Sequence, residues 1–339
     1  MELTEQLLQE CVAARKHCAL LNHPNRGVIE IRGEDRVNFL HNILSNDIKS
    51  LAPGKGAPAC FLNAQAKIIA YTNVLYFSEY LWLALDYVLK DKLIESLNKL
   101  IIMERVELID RSDELKLISI HGPKAKTIVE IVLDQEAPEE LLSHQTVTRE
   151  SIRVTAIRIN LTGEIGYGLL APKNAAGELQ QKLIQHGMPL GLKEIQTQAF
   201  EILRIEAGIP RYGIDFDESH IPLEAGLEKA VSFSKGCFPG QEILARLDSR
   251  GGVSKKLLGL VLKGEVAPKK NDRITKDNVE IGSITSSVFS PTLKKTIAMG
   301  YLNKEYWKVG SALTVETEGQ KIPAHVTSLP FYAAISSRT

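Results

Sequence analysis

The order of strand-like and helix-like segments constrains the fold of this 339-residue chain most strongly. Up to about residue 250, short strand-like runs are interspersed with amphipathic helical stretches, and a similar order of segments arrives twice. This mixture favours two α+β subdomains over a doubly wound parallel sheet. After Gly251 and Gly252, short strands separated by turn residues predict a small β-barrel or sandwich. The predicted organisation is an N-terminal helix at 1–26, subdomains at about 27–115 and 116–250, and a barrel at 253–335.

The charge and the N-terminal residues bear on partners and location. Lys+Arg and Asp+Glu both number 41, so the chain lacks the basic excess that is typical of nucleic-acid binders. An amphipathic helix is predicted over residues 3–21. The N-terminal segment carries the acidic residues Glu2, Glu5 and Glu10, unlike the basic start of a signal peptide. No apolar run approaches the roughly 18 residues of a membrane-spanning helix. We expect a cytoplasmic monomer with no nucleic-acid or membrane partner.

Four cysteines are present, at positions 11, 18, 60 and 237. They form no C-x-x-C pair and no Cys/His cluster at zinc spacing, so no metal site is predicted. Cys237 lies in the distinctive stretch "KGCFPGQE", just before a predicted helix through Ile243 and Leu244. The helix N-terminus and Lys235 both favour the thiolate. A small buried apolar role for Cys237 is the alternative, and local chemistry alone does not decide between them.

A second stretch, "LRIEAGIPRYGIDF", places Arg204 and Glu206 at the end of a predicted helix that Gly208 terminates. Residues two apart on a helix do not face the same side, so a mutual ion pair does not explain both. A carboxylate entering a Gly/Pro-rich loop could accept two parallel hydrogen bonds from a ligand. The alternative is a solvated carboxylate at a helix end. The glycines of "GEIGYG" (163–168) are in the wrong order for a dinucleotide fingerprint.

Together these stretches resemble one family. "KGCFPGQE" is similar to the K-G-C-Y/F-x-G-Q-E signature of the YgfZ-type folate-binding proteins, which are relatives of the glycine cleavage T-protein. "LTGEIGYGLLAP", "LRIEAGIPRYGIDF" and "GEDRVNFLHNILSNDI" resemble further segments of that superfamily, and "SPTLKKTIAMGYL" with "LPFY" resembles its C-terminal barrel. The similarity spans about residues 27–332 and leaves the N-terminal helix outside.

The resemblance implies a three-lobed α+β fold, with two subdomains around a central tetrahydrofolate hole and a C-terminal β-barrel. It implies that Glu206 grips the pterin ring, that Cys237 is the reactive thiol and that Lys235 tunes it. Five further residues are predicted to contact the folate or fix the loop: Arg204, Asn63, Tyr167, Gln241 and Glu242. T-proteins carry an Asp-Asp pair where this chain has Ala70 and Tyr71, and Ala66 stands where glycine is usual.

The function implied by the resemblance is a folate-binding protein that supports assembly or repair of iron–sulfur enzymes through Cys237. The thiolate could take up a one-carbon unit, hold iron transiently, or be oxidised and restored. One cysteine cannot hold a cluster, since stable sites need about four ligands. One alternative is a true aminomethyltransferase, with Asp47, Asp86 or Asp215 replacing the missing pair. The other is a non-catalytic folate-binding scaffold. Iron–sulfur client or assembly proteins are the expected partners.

Overall fold

The computed structural model describes residues 4–23, 26–249 and 251–334. Its strands form two open sheets and one closed barrel. The strands of the open sheets are β1 (Cys18–Asn22), β2 (Arg26–Arg32), β3 (Gly56–Leu62), β4 (Ile68–Tyr76), β5 (Leu81–Asp86), β6 (Glu107–Asp110), β7 (Leu115–His121), β8 (His144–Arg149), β9 (Ile152–Ile159), β10 (Gly166–Pro172) and β11 (Leu192–Glu194). The barrel strands are β12 (Lys255–Leu262), β13 (Arg273–Lys276), β14 (Val279–Ser290), β15 (Lys295–Asn303), β16 (Ala312–Thr317) and β17 (Gln320–Thr327).

The helices cover the outer faces of the open sheets and join them to the barrel. They are α1 (Glu5–Lys16), α2 (Arg36–Ile43), α3 (Lys90–Asn98), α4 (Ala125–Leu133), α5 (Ala176–Gly187), α6 (Thr197–Glu206) and α7 (Gln241–Ser249). None of the helices in the described ranges is long and apolar enough to cross a membrane.

The first sheet has the strand order β3-β4-β5-β2-β6, and α2 and α3 cover its outer face. Alternate residues of its strands, such as Ile29, Val74 and Leu83, are buried against Leu40 of α2 and Leu93 of α3. This strict alternation follows from the period of two in a strand, which sends successive side chains to opposite faces. The remaining residues of β2, β4 and β5 therefore form an inner face.

The second sheet has the order β11-β1-β7-β10-β9-β8, with α4 and α5 packed on its outer face. Its inner face meets one end of the first sheet's inner face through a shared apolar cluster. Val28, Leu75 and Trp82 of the first sheet pack there against Ile157 and Leu170 of the second. The two inner faces thus look towards each other, with the barrel alongside.

The barrel closes in the order β12-β15-β14-β13-β16-β17, and its wall packs against α1 and α6. Leu7 of α1, Leu203 of α6 and Met299 of β15 belong to one buried cluster. The predicted α+β class with a C-terminal barrel is confirmed.

The helix predicted over residues 3–21 is wrong in its second half. The helix ends at Lys16, and residues 18–22 form β1 instead. β1 pairs with β7 on one side and with β11 on the other, and Cys18 and Leu20 enter the core of the second sheet. Pairing on both sides and burial of both side chains are tertiary effects that helical periodicity does not report.

Candidate functional site

Cys237 is exposed, whereas Cys11, Cys18 and Cys60 are buried. Burial raises the pKa of each of these three buried thiols to about 12. Because a protonated, buried thiol is a poor nucleophile and a poor metal ligand, only Cys237 of the four is placed for thiol chemistry.

Lys235 anchors the loop that carries Cys237. Its ammonium group is buried and donates to the main-chain oxygens of His41 and Leu44, at the C-terminal end of α2. It also lies 4.8 Å from the ring centroid of Phe238. Burial lowers the pKa of Lys235 to about 8, while Asp47 and Cys237 act in the opposite direction. Lys235 therefore holds the loop on the helix end, where a cation interacts favourably with the helix dipole.

Gly240 fixes the other side of the loop. Its φ is +81°, and a β-carbon there would lie 2.7 Å from Cα of Ala66 and 2.8 Å from the carbonyl oxygen of Asn63. The turn that it touches is closed by Asn63, whose side-chain oxygen accepts from the main-chain N–H groups of Gln65 and Lys67, each at 2.9 Å. Ala66 adopts φ +59°, the left-handed region that explains why glycine is usual there. Asn63 thus shapes the support beneath the Cys237 loop.

Gln241 and Glu242 are the first two residues of α7, which includes Ile243 and Leu244 as predicted. Gln241 is half-buried and Glu242 is exposed. Neither side chain makes a hydrogen bond or ion pair with any part of the chain that the structure describes. Their predicted contacts with folate, and their predicted role in fixing the loop, stay predictions.

Glu206 lies in a buried polar network and not at a cleft. One carboxylate oxygen accepts from Arg15 Nη2 at 2.6 Å and from Thr292 Oγ1 at 2.9 Å. The other accepts from Ser290 Oγ at 2.5 Å. The side chain is fully buried. A folate that used Glu206 would have to displace these protein donors, so the expected open carboxylate is not what the structure has.

Arg204 is likewise used within the protein. It is 3% exposed, and its Nη1 donates to Asp215 Oδ2 at 2.7 Å and to the carbonyl oxygen of Ile209 at 2.6 Å. Asp215 is 1% exposed, and its other oxygen accepts from Thr285 and Ser286 of the barrel. The Arg204–Asp215 pair therefore fastens α6 to the barrel, and Asp215 has no free oxygen to replace a missing catalytic carboxylate.

Tyr167 points away from the space between the sheets. It is 1% exposed and belongs to the core between the second sheet and its helices, together with Leu169 and Ala171 of the same strand. Its cross-strand partner is Arg158, which lies 5.7 Å from the Tyr167 ring centroid. A ligand between the inner faces would meet the alternate residues of β10, namely Gly166 and Gly168, and would not touch Tyr167.

The middle of the first sheet's inner face keeps contact with solvent. We call this surface the central patch; it consists of Arg26, Tyr71, Asn73, Ala84 and Asp86, all of which are partly exposed. The adjacent residues of β4 and β5 on the outer face are fully buried: Thr72, Leu83 and Leu85. One end of the inner face is covered by the second sheet, and the other end by residues 216–253. The central patch is the uncovered stretch between them.

Polar groups cross the central patch in one row. Arg26 of β2 pairs with Asp86 of β5 in the ladder, and its Nη1 lies 2.7 Å from Asp86 Oδ1. Tyr71 of β4 lies opposite Asp86 of β5, because the preceding pair in this antiparallel ladder is Thr72 with Leu85. Burial raises the pKa of Tyr71, with Arg26 acting in the opposite direction. A carboxylate, a guanidinium and a protonated phenol thus share a partly exposed surface, which can bind a planar molecule that carries both donors and acceptors.

The sequence predicts Asp86 only as a replacement carboxylate in the aminomethyltransferase alternative, and it does not predict Arg26 as a site residue. Alternation in "YLWLALD" places Trp82, Ala84 and Asp86 on one face, so the strand pattern contained a signal for Asp86. Arg26 follows the break "NHPN", and no local pattern relates it to Asp86.

Ala70, the other residue at the position of the T-protein carboxylates, is buried on the outer face. Asp47 accepts main-chain hydrogen bonds from Lys49 and Ser50.

No group of three or more His, Cys, Asp or Glu side chains that could hold a metal ion occurs within residues 4–23, 26–249 and 251–334.

Comparisons with known proteins agree with this architecture. The family model described as the GCVT N-terminal domain matches residues 2–235, and that of the glycine cleavage T-protein C-terminal barrel domain matches residues 255–333. The match from residue 2 corrects the expectation that the N-terminal helix lies outside the similarity. This is consistent with the packing of α1 against α6.

Two curated relatives are aminomethyltransferases. Those of Symbiobacterium thermophilum and Halothermothrix orenii are each 30% identical to this chain, cover 96% of it, and are themselves covered over 89% and 91%. The crystal structure of glycine cleavage system aminomethyltransferase T from Bartonella henselae matches with a TM-score of 0.86 at 24% identity. The match covers 96% of this chain and 89% of that one, and it bears on the fold alone.

Proposed function

Because this chain belongs to the glycine cleavage T-protein family, we propose that it binds tetrahydrofolate at the central patch and supports iron–sulfur enzymes through Cys237. One observation carries the thiol part of the proposal. Of the four cysteines only Cys237 is exposed, on a loop fixed by Lys235 on one side and by Gly240 on the other. We place this activity in the cytoplasm.

The residues of the central patch fit a folate. The pterin ring is flat and carries adjacent N–H donors and an oxygen acceptor, and the patch offers Asp86 as acceptor, Arg26 as donor and Asn73 as both. Leu117 and Ile159, which are partly buried apolar residues of the facing sheet, can cover the ring. When bound, tetrahydrofolate supplies one-carbon chemistry; the protein's part is to bind and orient it.

The composition of the patch argues against proton transfer by the position that T-proteins use. Ala70 has no ionisable group, and it faces the outer core. The Tyr71 hydroxyl, whose pKa is raised by burial, stays protonated at neutral pH. These two residues favour a protein that holds folate without carrying out aminomethyl transfer.

The iron–sulfur part rests on the likeness of residues 235–242 to the YgfZ-type signature. An exposed thiol can bind iron as a thiolate or form a disulfide. Since a single cysteine cannot hold a cluster, Cys237 would act on the cluster or the cysteines of a client protein and would not store a cluster itself. Iron–sulfur client or assembly proteins are therefore the proposed partners.

The test is replacement of Cys237 in cells that lack the wild-type chain. Cys237→Ser removes the thiol and keeps the size of the side chain, so we expect the activity of iron–sulfur enzymes to fall to the level of the deletion. Ser234→Ala, at an exposed neighbouring position of the same loop, is the matched control and should retain activity. Full activity of the Cys237→Ser strain would contradict the proposal.

Aminomethyl transfer is the second candidate, and the names of the relatives support it more directly. The specific observation in its favour is Asp86, a carboxylate in the central patch one strand away from Tyr71. It predicts that the purified protein forms methylene-tetrahydrofolate from an aminomethyl-lipoyl donor and that Asp86→Asn abolishes this. We expect no product from the wild-type protein under conditions in which an authentic aminomethyltransferase turns over.

A further inference from the structure

Two buried histidines share one serine hydroxyl beside the central patch. His23 Nε2 lies 2.6 Å from Ser119 Oγ, and His121 Nε2 lies 2.8 Å from the same oxygen. His23 is 7% exposed, and Ser119 and His121 are fully buried. The Phe200 and His23 rings pack at right angles, with 5.5 Å between their centroids. Nothing in the proposed function so far uses this His23–Ser119–His121 chain.

Both imidazoles are neutral at physiological pH. Burial lowers the pKa of His121 to about 3, with Arg158 contributing in the same direction. Burial also lowers the pKa of His23, and the nearby cations Arg26, Lys116 and Arg211 add to the effect. Each ring therefore carries one N–H, and the serine hydroxyl supplies one O–H for the two contacts. If both rings donated to Ser119, its buried hydroxyl hydrogen would have no acceptor in the described part of the chain. Two arrangements remain: either His121 donates to Ser119 and Ser119 donates to His23, or both directions are reversed.

The surroundings of His121 Nδ1 select the first arrangement. This nitrogen is buried and has no hydrogen-bond partner in the described part of the chain. A β-carbon built on Gly166 would lie 2.5 Å from it, so the glycine C–H in that direction points at the nitrogen. A lone pair tolerates such a C–H contact, whereas an N–H would meet it head-on and remain unpaired. His121 therefore carries its hydrogen on Nε2 and donates to Ser119.

The tautomer of His23 follows from this choice. The Ser119 hydroxyl, already accepting from His121, donates to Nε2 of His23, which leaves the His23 hydrogen on Nδ1. That nitrogen lies on the other side of the ring from Ser119, and no hydrogen-bond partner for it occurs among the described residues. The buried chain thus fixes His23 as a neutral N–H donor.

His23 lies close to the central patch. His23 follows β1 of the second sheet and lies three positions before Arg26, the first residue of β2 in the first sheet. The main-chain N–H of His23 donates to the carbonyl oxygen of Leu117 at 3.3 Å, and Leu117 belongs to the inner face of the second sheet. His23 therefore lies where the chain passes between the two sheets, next to the Arg26 end of the central patch.

We propose that His23 is a ligand-binding residue whose Nδ1–H, fixed by Ser119 and His121, donates to an oxygen of the molecule held at the central patch. This inference rests on the proposed folate binding. The cations Arg26 and Arg211 nearby favour an oxygen that bears negative charge. A folate offers a neutral acceptor, the carbonyl of its pterin ring, and charged acceptors, the carboxylates of its glutamate. Ser119 and His121 act through His23 as positioning residues.

The first test needs no ligand. Imidazole nitrogen shifts of the ¹⁵N-labelled full-length protein between pH 6 and 8 should show His121 as the Nε2–H form and His23 as the Nδ1–H form. Ser119→Ala should remove the fixed tautomer of His23, while His186→Gln, at an exposed position, identifies one other signal and changes neither. The opposite tautomers, or a charged His23 at pH 7, would overturn the proposal whether or not the protein binds folate.

The second test measures affinity for tetrahydrofolate. We expect His23→Leu to weaken binding about tenfold, as for one lost hydrogen bond, and His23→Gln, which keeps an N–H donor, to restore most of it. Two fragments then identify the acceptor: a tetrahydropterin without the glutamate tail, and p-aminobenzoylglutamate. His23→Leu should weaken binding only of the fragment that carries the acceptor oxygen. Equal tetrahydrofolate binding by wild type and His23→Leu overturns this inference alone. Absence of binding by the wild type overturns the proposed function as well.

Discussion

The ammonium nitrogen of Lys235 lies 2.6 Å from the carbonyl oxygen of Leu44, directly after α2. The lysine of the cysteine loop thus closes the C-terminal end of a helix that packs on the first sheet. Its hydrogens are used by main-chain oxygens and by the face of Phe238, so it fixes the loop mechanically. The exposed position of Cys237 depends on this attachment.

Replacing Lys235 by methionine should destabilise the protein by about 1–3 kcal/mol, because two main-chain oxygens lose a buried donor. Lys235→Arg should recover only part of this, since a planar guanidinium does not fit a site shaped for a compact ammonium. Urea unfolding measures the difference, with Lys229→Met at an exposed position as control. If Lys235→Met and Lys229→Met unfold alike, Lys235 does not clamp the helix end.

Limited alkylation of the native protein should modify Cys237 and leave the other three cysteines unmodified. Cys11, Cys18 and Cys60 are buried with raised pKa values, so neither access nor thiolate is available at neutral pH. Mass spectrometry after brief iodoacetamide treatment should find one label per chain, and none on Cys237→Ser. A native Cys237 that barely reacts would favour the non-catalytic scaffold.

Gly240→Ala should cost about 2–4 kcal/mol and displace the Cys237 loop, because the new methyl group would meet main-chain atoms of Ala66 and Asn63 at a positive φ. The matched change Gly236→Ala meets no atom within 4 Å and should lie within about 0.5 kcal/mol of wild type. Thermal unfolding and alkylation rates of the two variants can be compared directly. Similar losses in both would show that the turn at Asn63 does not constrain the loop.

Stability should fall as the pH drops below about 6.5, the usual pKa of histidine in an unfolded chain. Folding lowers the pKa values of His23 and His121, so the unfolded state binds more protons between the two sets of values. His121 contributes about 2 kcal/mol of loss by pH 5, and His23 contributes a further loss in the same direction. Urea unfolding at pH 7 and pH 5 measures this decrease in the free energy of unfolding. The decrease should be smaller for His121→Gln than for the wild-type protein. A stability unchanged between these pH values would contradict the buried neutral pair.

The general architecture follows from local patterns, whereas several site assignments depend on contacts distant in sequence. Strand alternation and turn residues predict the barrel, whereas the residues around Cys237 leave an exposed thiol and a buried one as alternatives, and the fold decides for the exposed thiol. Glu206 is different, because its partners Arg15, Ser290 and Thr292 come from both ends of the chain. No local pattern predicts that these three donors surround one carboxylate.

Packing likewise places Tyr167, which the resemblance predicts as a folate contact, in the core of the second sheet. Tyr167 and Gly168 are adjacent, and only the packing of α4 and α5 decides which of them faces the core. Arg26 and Asp86 meet because β2 pairs with β5, a ladder that joins residues 60 positions apart. Such pairings are set by the cooperative packing of the whole sheet and are not contained in either segment.

Calorimetric titration with tetrahydrofolate tests the central claim most directly. The wild-type protein should bind, and Asp86→Asn, which removes the charge of the acceptor in the central patch, should weaken binding by about 1.5–3 kcal/mol, roughly 10- to 150-fold. Asp277→Asn, in a turn of the barrel, should bind like wild type. No binding by the wild-type protein, or equal binding by Asp86→Asn and wild type, would contradict a folate site at the central patch.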